Sequence, residues 1–365
     1  MAFPNGWSDP AACSDKTDLK HLAFMSKKVV TLGEIMLRLS TPDFKRFVQA
    51  DSLDVTYGGG EANVAAALCN YGLQGVFVTK VPDNPIGQSA INHLRRFGVE
   101  TQFIVKGGDR LGIYFLETGA SMRASQVIYD RSGASIAEAQ AKDFDFDAIL
   151  KDADWFHTTG ITPALSDSAA ELAEVALKAA RAKGITTSID LNYRKKLWSK
   201  EKARSVMTRL CEWVDICIGN EEDADTTLGF KAAHTDVDKG ELNLDGYKEV
   251  FRQMREKFGF KVIASSLRES HSASDNGWSA LVYDGSEFYH TRQYEVRIVD
   301  RVGSGDSFAS GLIYGLITGM SLKDAAEFGV AASALKHTIP GDMNHATLKE
   351  VLDLMKGDAS GRVQR

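Results

Sequence analysis

Short β-prone runs alternate with longer helix-periodic segments along most of this chain, and that alternation limits its possible folds more than any other feature. The strand candidates are Val29–Gly33, Val76–Lys80, Trp155–Gly160, Thr186–Leu191, Asp215–Gly219, Lys261–Ser265 and Ala280–Tyr283. Between them, Ala62–Tyr71, Gly87–Phe97, Ser168–Lys183, Lys200–Cys211 and Tyr247–Phe258 carry apolar residues at helical spacing. Such a chain closes as a mostly parallel sheet covered on both faces, with right-handed crossovers. The expected class is α/β, with ligands gathered at the carboxyl ends of the strands. Phe47–Tyr57 and Phe103–Arg131 break the alternation and read as extended, the second as Ile113–Glu117 and Gln126–Asp130 around a Gly119-Ala120-Ser121 turn. They predict a small inserted β-sheet over about residues 40–58 and 103–131, serving as a lid that excludes water. An edge extension or a dimer surface is the other reading of the same residues.

The chain has 365 residues, 44% of them hydrophobic and 25% charged, which is ample material for a core. Its formal net charge is −6 and its basic residues are dispersed, so no footprint for nucleic acid or an anionic membrane is present and a small-molecule partner is favoured. Cys13, Cys69, Cys211 and Cys217 show neither CxxC spacing nor clustering with histidine, which indicates no zinc site or disulfide framework and fits a reducing cytoplasm. No apolar stretch approaches the roughly 20 residues that span a bilayer. Residues 1–26 lack an uninterrupted apolar segment and carry Asp9, Asp15, Lys16, Asp18 and Lys20, so they read as a disordered leader, with Met25 a second candidate start. One main domain is expected over residues 27–357, with 358–365 as a tail. Lys231–Asp245, charged and glycine-containing, reads as a solvated loop, and His157, on an apolar strand, as a buried structural residue rather than a catalyst.

Two glycine-rich turns carry the chemistry. In Asp300-Arg301-Val302-Gly303-Ser304-Gly305-Asp306, followed by an apolar helix-prone run, two glycines allow a tight turn whose N–H groups converge on an anion at the positive end of a helix. Asp306 falls in the first turn of that helix, where a carboxylate can accept a hydroxyl proton; an ordinary helix N-cap is the competing reading. Tyr57-Gly58-Gly59-Gly60-Glu61-Ala62-Asn63 ends an extended run and begins another helix, so that a ligand can approach Gly59 and Gly60 closely while Asn63 donates and accepts. Neither GxGxxG nor GxxxxGK[ST] occurs, which excludes a Rossmann fingerprint and a P-loop.

Together the two turns, with Gly72 after the first helix, resemble the paired signatures of the ribokinase-like (PfkB-type) carbohydrate kinases, in the family's order and over about residues 28–356. Within that family the chain is most similar to the 2-keto-3-deoxygluconate kinases, through Gly33-Glu34-Ile35-Met36-Leu37-Arg38, Tyr129-Asp130-Arg131 and Asp190-Leu191-Asn192-Tyr193-Arg194 with Lys195-Lys196-Leu197-Trp198. The resemblance implies transfer of the γ-phosphate of ATP, with Mg²⁺, to the C6 hydroxyl of the sugar acid. Asp306 would be the base and Gly303, Ser304 and Gly305 the anion hole. An ordinary aspartate pKa near 4 suffices, because positioning outweighs basicity in a loose phosphoryl-transfer transition state.

A sugar acid carries a carboxylate that ribose and fructose lack, so its site needs a fixed cation; Arg194, at the end of a strand, and Arg131, on the lid, are placed to supply it, unless they form surface ion pairs. Tyr114 and Tyr129 would close over the sugar. Asn220-Glu221-Glu222-Asp223 resembles the family element that organises Mg²⁺ partly through water, with Asn220 and Asp223 as the metal candidates and Asp223 standing where glutamate is usual. ATP is expected along Asn192, Asn220, Ser266, Arg268, Gly303, Gly305 and Asn344. A monovalent cation is a further candidate cofactor, and a homo-oligomer through the lid is the expected assembly. Arg301, Ser304 and Pro82 are further departures from the family's usual residues, and Arg301 is a candidate phosphate contact. The alternatives are a kinase for a neutral sugar on the same scaffold, or a non-catalytic sugar sensor.

Overall fold

In the computed structural model, residues 27–231 and 244–358 are described. The leader at 1–26, most of the proposed loop at 231–245 and nearly all of the 358–365 tail lie outside these residues. The strands in chain order are β1 (Lys28–Leu32), β2 (Met36–Ser40), β3 (Asp54–Gly58), β4 (Gln74–Val81), β5 (Ile104–Lys106), β6 (Gly112–Glu117) and β7 (Gln126–Asp130). They continue with β8 (Trp155–Thr159), β9 (Thr186–Asp190), β10 (Ile216–Ile218), β11 (Val262–Ser270), β12 (Asp275–Tyr283), β13 (Phe288–His290) and β14 (Tyr294–Arg297). Ten of them form one sheet in the order β13-β12-β11-β10-β9-β8-β1-β4-β5, with β14 beside β12. Pairing is parallel from β11 through to β5 and antiparallel from β11 outward to β12, β13 and β14.

β1 shows why both faces are covered: Val29 and Val30 are both fully buried, one in each of two cores. On one side Val30 and Phe156 meet Leu172, Leu177 and Leu210 of the helices Asp167–Ala182 and Lys200–Cys211. On the other, Val29 meets Val64, Phe308 and Phe328 of the helices Gly60–Asn70, Ser304–Ile317 and Leu322–Lys336. The last two helices approach closely at Gly311, where a Cβ would come within 2.6 Å of the Gly329 backbone.

The second sheet has the order β3-β2-β6-β7. It is the expected lid with different limits. Ile104–Lys106, read as lid, instead joins the edge of the main sheet as β5; Met36–Ser40, read as part of a motif beside the first strand, is a central lid strand; and Phe47–Gln49 is a single 3₁₀ turn rather than extended chain. In register, Arg38, Tyr114 and Tyr129 form one cross-strand row, and Val55, Leu39, Phe115 and Ile128 form a row of the alternate parity, hence on the opposite face. The first row lies on the side of the cavity described below.

Candidate active site

Most helices begin on a side chain that satisfies their first N–H groups. Asn84 accepts from Ile86 and Gly87, Ser166 from Ala169, Ser199 from Lys202 and Thr347 from Glu350. The helices Gly60–Asn70 and Ser304–Ile317 instead start on Gly59 and Gly303 with no side-chain cap. Both open onto one cavity of about 410 Å³, lined by the carboxyl ends of β9 and β10, the lid, and both glycine turns. Their bare amino termini therefore present positive potential to whatever enters it.

Gly303 has φ +80°, and a Cβ there would overlap the Asp342 carbonyl oxygen, so only glycine makes this turn without strain. Gly305 has open space where a Cβ would stand, and Ser304 turns its hydroxyl back to the Arg301 carbonyl at 2.9 Å, leaving the loop's backbone toward the cavity. Asp306 is held by Asn63, whose Nδ2 donates to its Oδ2 at 2.7 Å. The two distant turns thus meet at the carboxylate. Burial, opposed by the Asn63 bond and by Arg194, lifts the Asp306 pKa from 3.8 to about 6.

Of the sequence-predicted residues, Gly59, Gly60, Asn63, Tyr114, Tyr129, Arg131, Asn192, Arg194, Asn220, Asp223, Ser266, Arg268, Gly303, Ser304, Gly305 and Asp306 all line this cavity. Asn344 does not. Its amide is buried and donates to Tyr71, Ser307 and Ala332, and its oxygen accepts from the Ala346 N–H, so it holds the helix Ser304–Ile317 to its neighbours. Its chain neighbour Asp342 lines the cavity instead and accepts from the Tyr114 hydroxyl, on the lid side.

The two candidate carboxylate arginines differ. Arg131 is buried against Glu34 in an ion pair, with its guanidinium 5.1 Å from the Tyr129 ring. Arg194 lies beside Asp190 and Asp306, and its buried Nε has no hydrogen-bond partner among the described residues. Asp223 forms a capping box with Asn220 and accepts from the Tyr193 N–H at 2.9 Å, so its carboxylate orders the loop that carries Arg194. Burial and then Asp223 and Asp306 hold Asp190 well above the usual carboxylate range.

A network missed in the sequence joins lid to loop. Arg38 of β2 donates to Asp342 at 2.8 Å and to Asp300 at 2.6 Å, and Asp300 also accepts from the Val302 and Gly341 N–H groups. The Asp300 motif was visible, but its partners are not its sequence neighbours. Arg301, noted as a candidate phosphate contact, lines the cavity with Arg268 and donates to the Ala273 carbonyl at 3.1 Å.

Residues 26–348 match the pfkB family of carbohydrate kinases. The chain belongs to that family. It is 51% identical to the 2-dehydro-3-deoxygluconokinase of Thermotoga maritima, whose crystal structure superposes with a TM-score of 0.87 over 91% of this chain and 100% of that one. It is 34% identical over 338 residues to a 2-dehydro-3-deoxygalactonokinase of Haloferax volcanii, covering 92% of this chain and 99% of the relative. It is 27% identical over 335 residues to the 2-dehydro-3-deoxygluconokinase of Bacillus subtilis, covering 90% and 95%. This carbohydrate kinase thus shares the pfkB fold across its main sheet and lid. Among its described residues no helix is long and apolar enough to cross a membrane.

Proposed function

We propose that this kinase phosphorylates 2-keto-3-deoxy-D-gluconate, also called 2-dehydro-3-deoxygluconate, at its C6 hydroxyl, with ATP as donor and in a cytoplasmic route of sugar-acid breakdown. The observation that carries the reading is one cavity holding both a half-buried carboxylate at a bare helix terminus, Asp306, and a guanidinium with an unused buried donor, Arg194. The sugar would lie under Tyr114 and Tyr129 between Gly59, Gly60 and Asn63, with its carboxylate on Arg194, and the triphosphate along Asn192, Asn220, Ser266, Arg268 and Arg301 toward Gly303–Gly305. In the reaction the C6 oxygen forms a bond to the γ-phosphorus, its proton passes to Asp306, the bond from the γ-phosphorus to the bridging oxygen breaks, and ADP departs. The anion hole stabilises charge on the transferring phosphoryl oxygens.

The donor set suits Mg²⁺ held largely by water and phosphate. Asp190 and Asp223 approach each other in the cavity, yet no three-residue carboxylate, histidine or cysteine cluster exists among the described residues. Mg²⁺ would neutralise phosphate charge, while Asn220 and Asp223 orient its waters. Arg131 contributes through its pair with Glu34, shaping the lid wall under Tyr129 rather than supplying a free cation.

That engagement favours one rival, a kinase for a neutral sugar, since of the two candidate carboxylate arginines it leaves Arg194 alone for the acid. A coupled ATP-consumption assay across the gluco and galacto keto-deoxy acids, fructose, ribose and adenosine separates the readings. The acids are expected to lead by a wide margin in kcat/KM, and equal or better use of fructose or ribose would remove the sugar-acid assignment. The same reading includes assembly of two copies through the lid, supported by the apolar row Val55, Leu39, Phe115 and Ile128, in which Val55 is 60% and Ile128 53% exposed.

A further inference from the structure

Lys336 ends the helix Leu322–Lys336 and is 0% exposed, an unusual place for an ammonium group. It takes no part in the chemistry derived above. Its Nζ donates to two main-chain carbonyls, of Asp300 at 3.3 Å and of Ile339 at 3.0 Å. Both carbonyls belong to loops that shape the anion hole. Asp300 opens the strap that turns at Gly303, and its carboxylate takes the Val302 and Gly341 N–H groups. Ile339 opens the turn that brings the Asp342 carbonyl against Gly303. The ammonium therefore ties the two loops together from the protein interior.

Main-chain carbonyls converging on a buried, spherical monovalent charge are how proteins hold a potassium or ammonium ion, with the oxygens replacing the ion's hydration shell. Here the charge arrives on a tether. The surrounding charges balance: Arg38 and Lys336 on one side, Asp300 and Asp342 on the other, all buried. Burial pulls the Lys336 pKa down, and Asp300 and Asp342 oppose that pull.

We propose that Lys336 is a built-in monovalent cation: its ammonium holds the 300–303 and 339–342 loops in their phosphate-accepting form, so that turnover requires no added potassium, sodium or ammonium. Lys336 is thus a positioning residue acting through Asp300 and the Asp342 carbonyl on Gly303. The inference rests on the reading of Gly303–Asp306 as the phosphate cradle.

The test uses the full-length protein with all counter-ions replaced by tetramethylammonium. Adding potassium, sodium or ammonium at constant ionic strength should leave wild-type kcat within about twofold, the scale of a nonspecific salt effect. Lys336→Met should lower kcat about 10- to 100-fold by removing fixed charge beneath the phosphoryl group. Potassium or ammonium, but not tetramethylammonium, should restore most of that loss and raise the melting temperature of the variant alone. A packing role would not give ion-selective rescue. Severalfold activation of the wild type, or a folded Lys336→Met with normal or unrescued turnover, would overturn the proposal. Should Lys336→Met not fold, the wild-type titration alone decides it, in either direction. Normal turnover of Asp306→Asn would instead sink the cradle reading, whereas the ion-selective melting shift reports on Lys336 without turnover.

Discussion

Asp306 must be ionised to take a proton, yet desolvation at its half-buried position outweighs its one strong hydrogen-bond donor, Asn63. Its folded-state pKa of about 6 lies above the ordinary 3.8, so the folded state binds the proton more tightly than the unfolded chain. The consequence is a stability cost that is absent below the unfolded value, grows between the two values and is fully present above about 6. The shift corresponds to at most roughly 3 kcal/mol. Asp306→Asn is accordingly expected to lower kcat by roughly 10²–10⁴-fold while raising the thermal midpoint at neutral pH, read by calorimetry beside the kinetic assay. In the wild type, kcat should fall on the acid side with an apparent pKa near 6; a profile flat down to pH about 4, the ordinary carboxylate value, would show that Asp306 ionises normally. Arg194→Met should raise KM for the keto-deoxy acids about tenfold to a hundredfold, the worth of one charge-assisted pair. Its use of neutral sugars should change little, and an unchanged acid-to-neutral ratio would remove Arg194 from the carboxylate role.

At the scale of elements, the lid is tied to the loops at Asp300 and Asp342 by two side chains, Arg38 and Tyr114. Arg38 bridges Asp300 and Asp342, whose partners lie 262 and 304 residues away in sequence, and Tyr114 of the adjoining strand donates to the same Asp342. Replacing Arg38 by Met leaves two buried carboxylates without their cation, so a loss of about 3–5 kcal/mol is expected in urea unfolding. A change under 1 kcal/mol, the ordinary worth of an exposed pair, would mean that water already screens the network. The helix starts show that cap type alone does not settle a role: the uncapped starts at Gly59 and Gly303 face the cavity, but so does the Asn220-capped start, while the short helix Ile161–Ala164 also begins uncapped, on Gly160. Strand limits were less legible, because Met36–Ser40 alternates in burial like any half-covered strand and follows a buried one with only three residues between.

For the whole molecule, the four-stranded lid has a polar inner row at the cavity and an apolar outer row in water. An apolar sheet face of this kind is an interaction surface by default. Light scattering is expected to find a homo-oligomer, and Val55→Glu with Ile128→Glu should dissociate it. A wild-type monomer at working concentration would remove the lid from that role. The centre of the main sheet followed from the alternation of β and helical periods, since each strand candidate has an observed counterpart within a few residues or as part of a longer strand, while the edge strands β5, β13 and β14 did not. Asn344 was misplaced for an instructive reason. The family resemblance set the Gly341–Asn344 segment along the nucleotide, whereas the Asn344 amide is engaged in the interior by Tyr71, Ser307 and Ala332 and Asp342 lines the cavity instead.

What the sequence by itself determined is local: periodicity sets the layers, and glycine, which alone reaches the required backbone conformation at Gly303 without strain, marks the turn that opens onto the cavity. The carboxylate at that turn and the asparagine at the other are likewise visible as residue types at characteristic spacing. Only the tertiary structure decided how they are used. Burial raises Asp306, Glu34 occupies Arg131, capping engages Asp223, and Arg38 and Lys336 balance Asp300 and Asp342 inside the protein. These outcomes depend on desolvation and on partners brought together from distant parts of the chain, and neither quantity is a property of any local stretch of sequence.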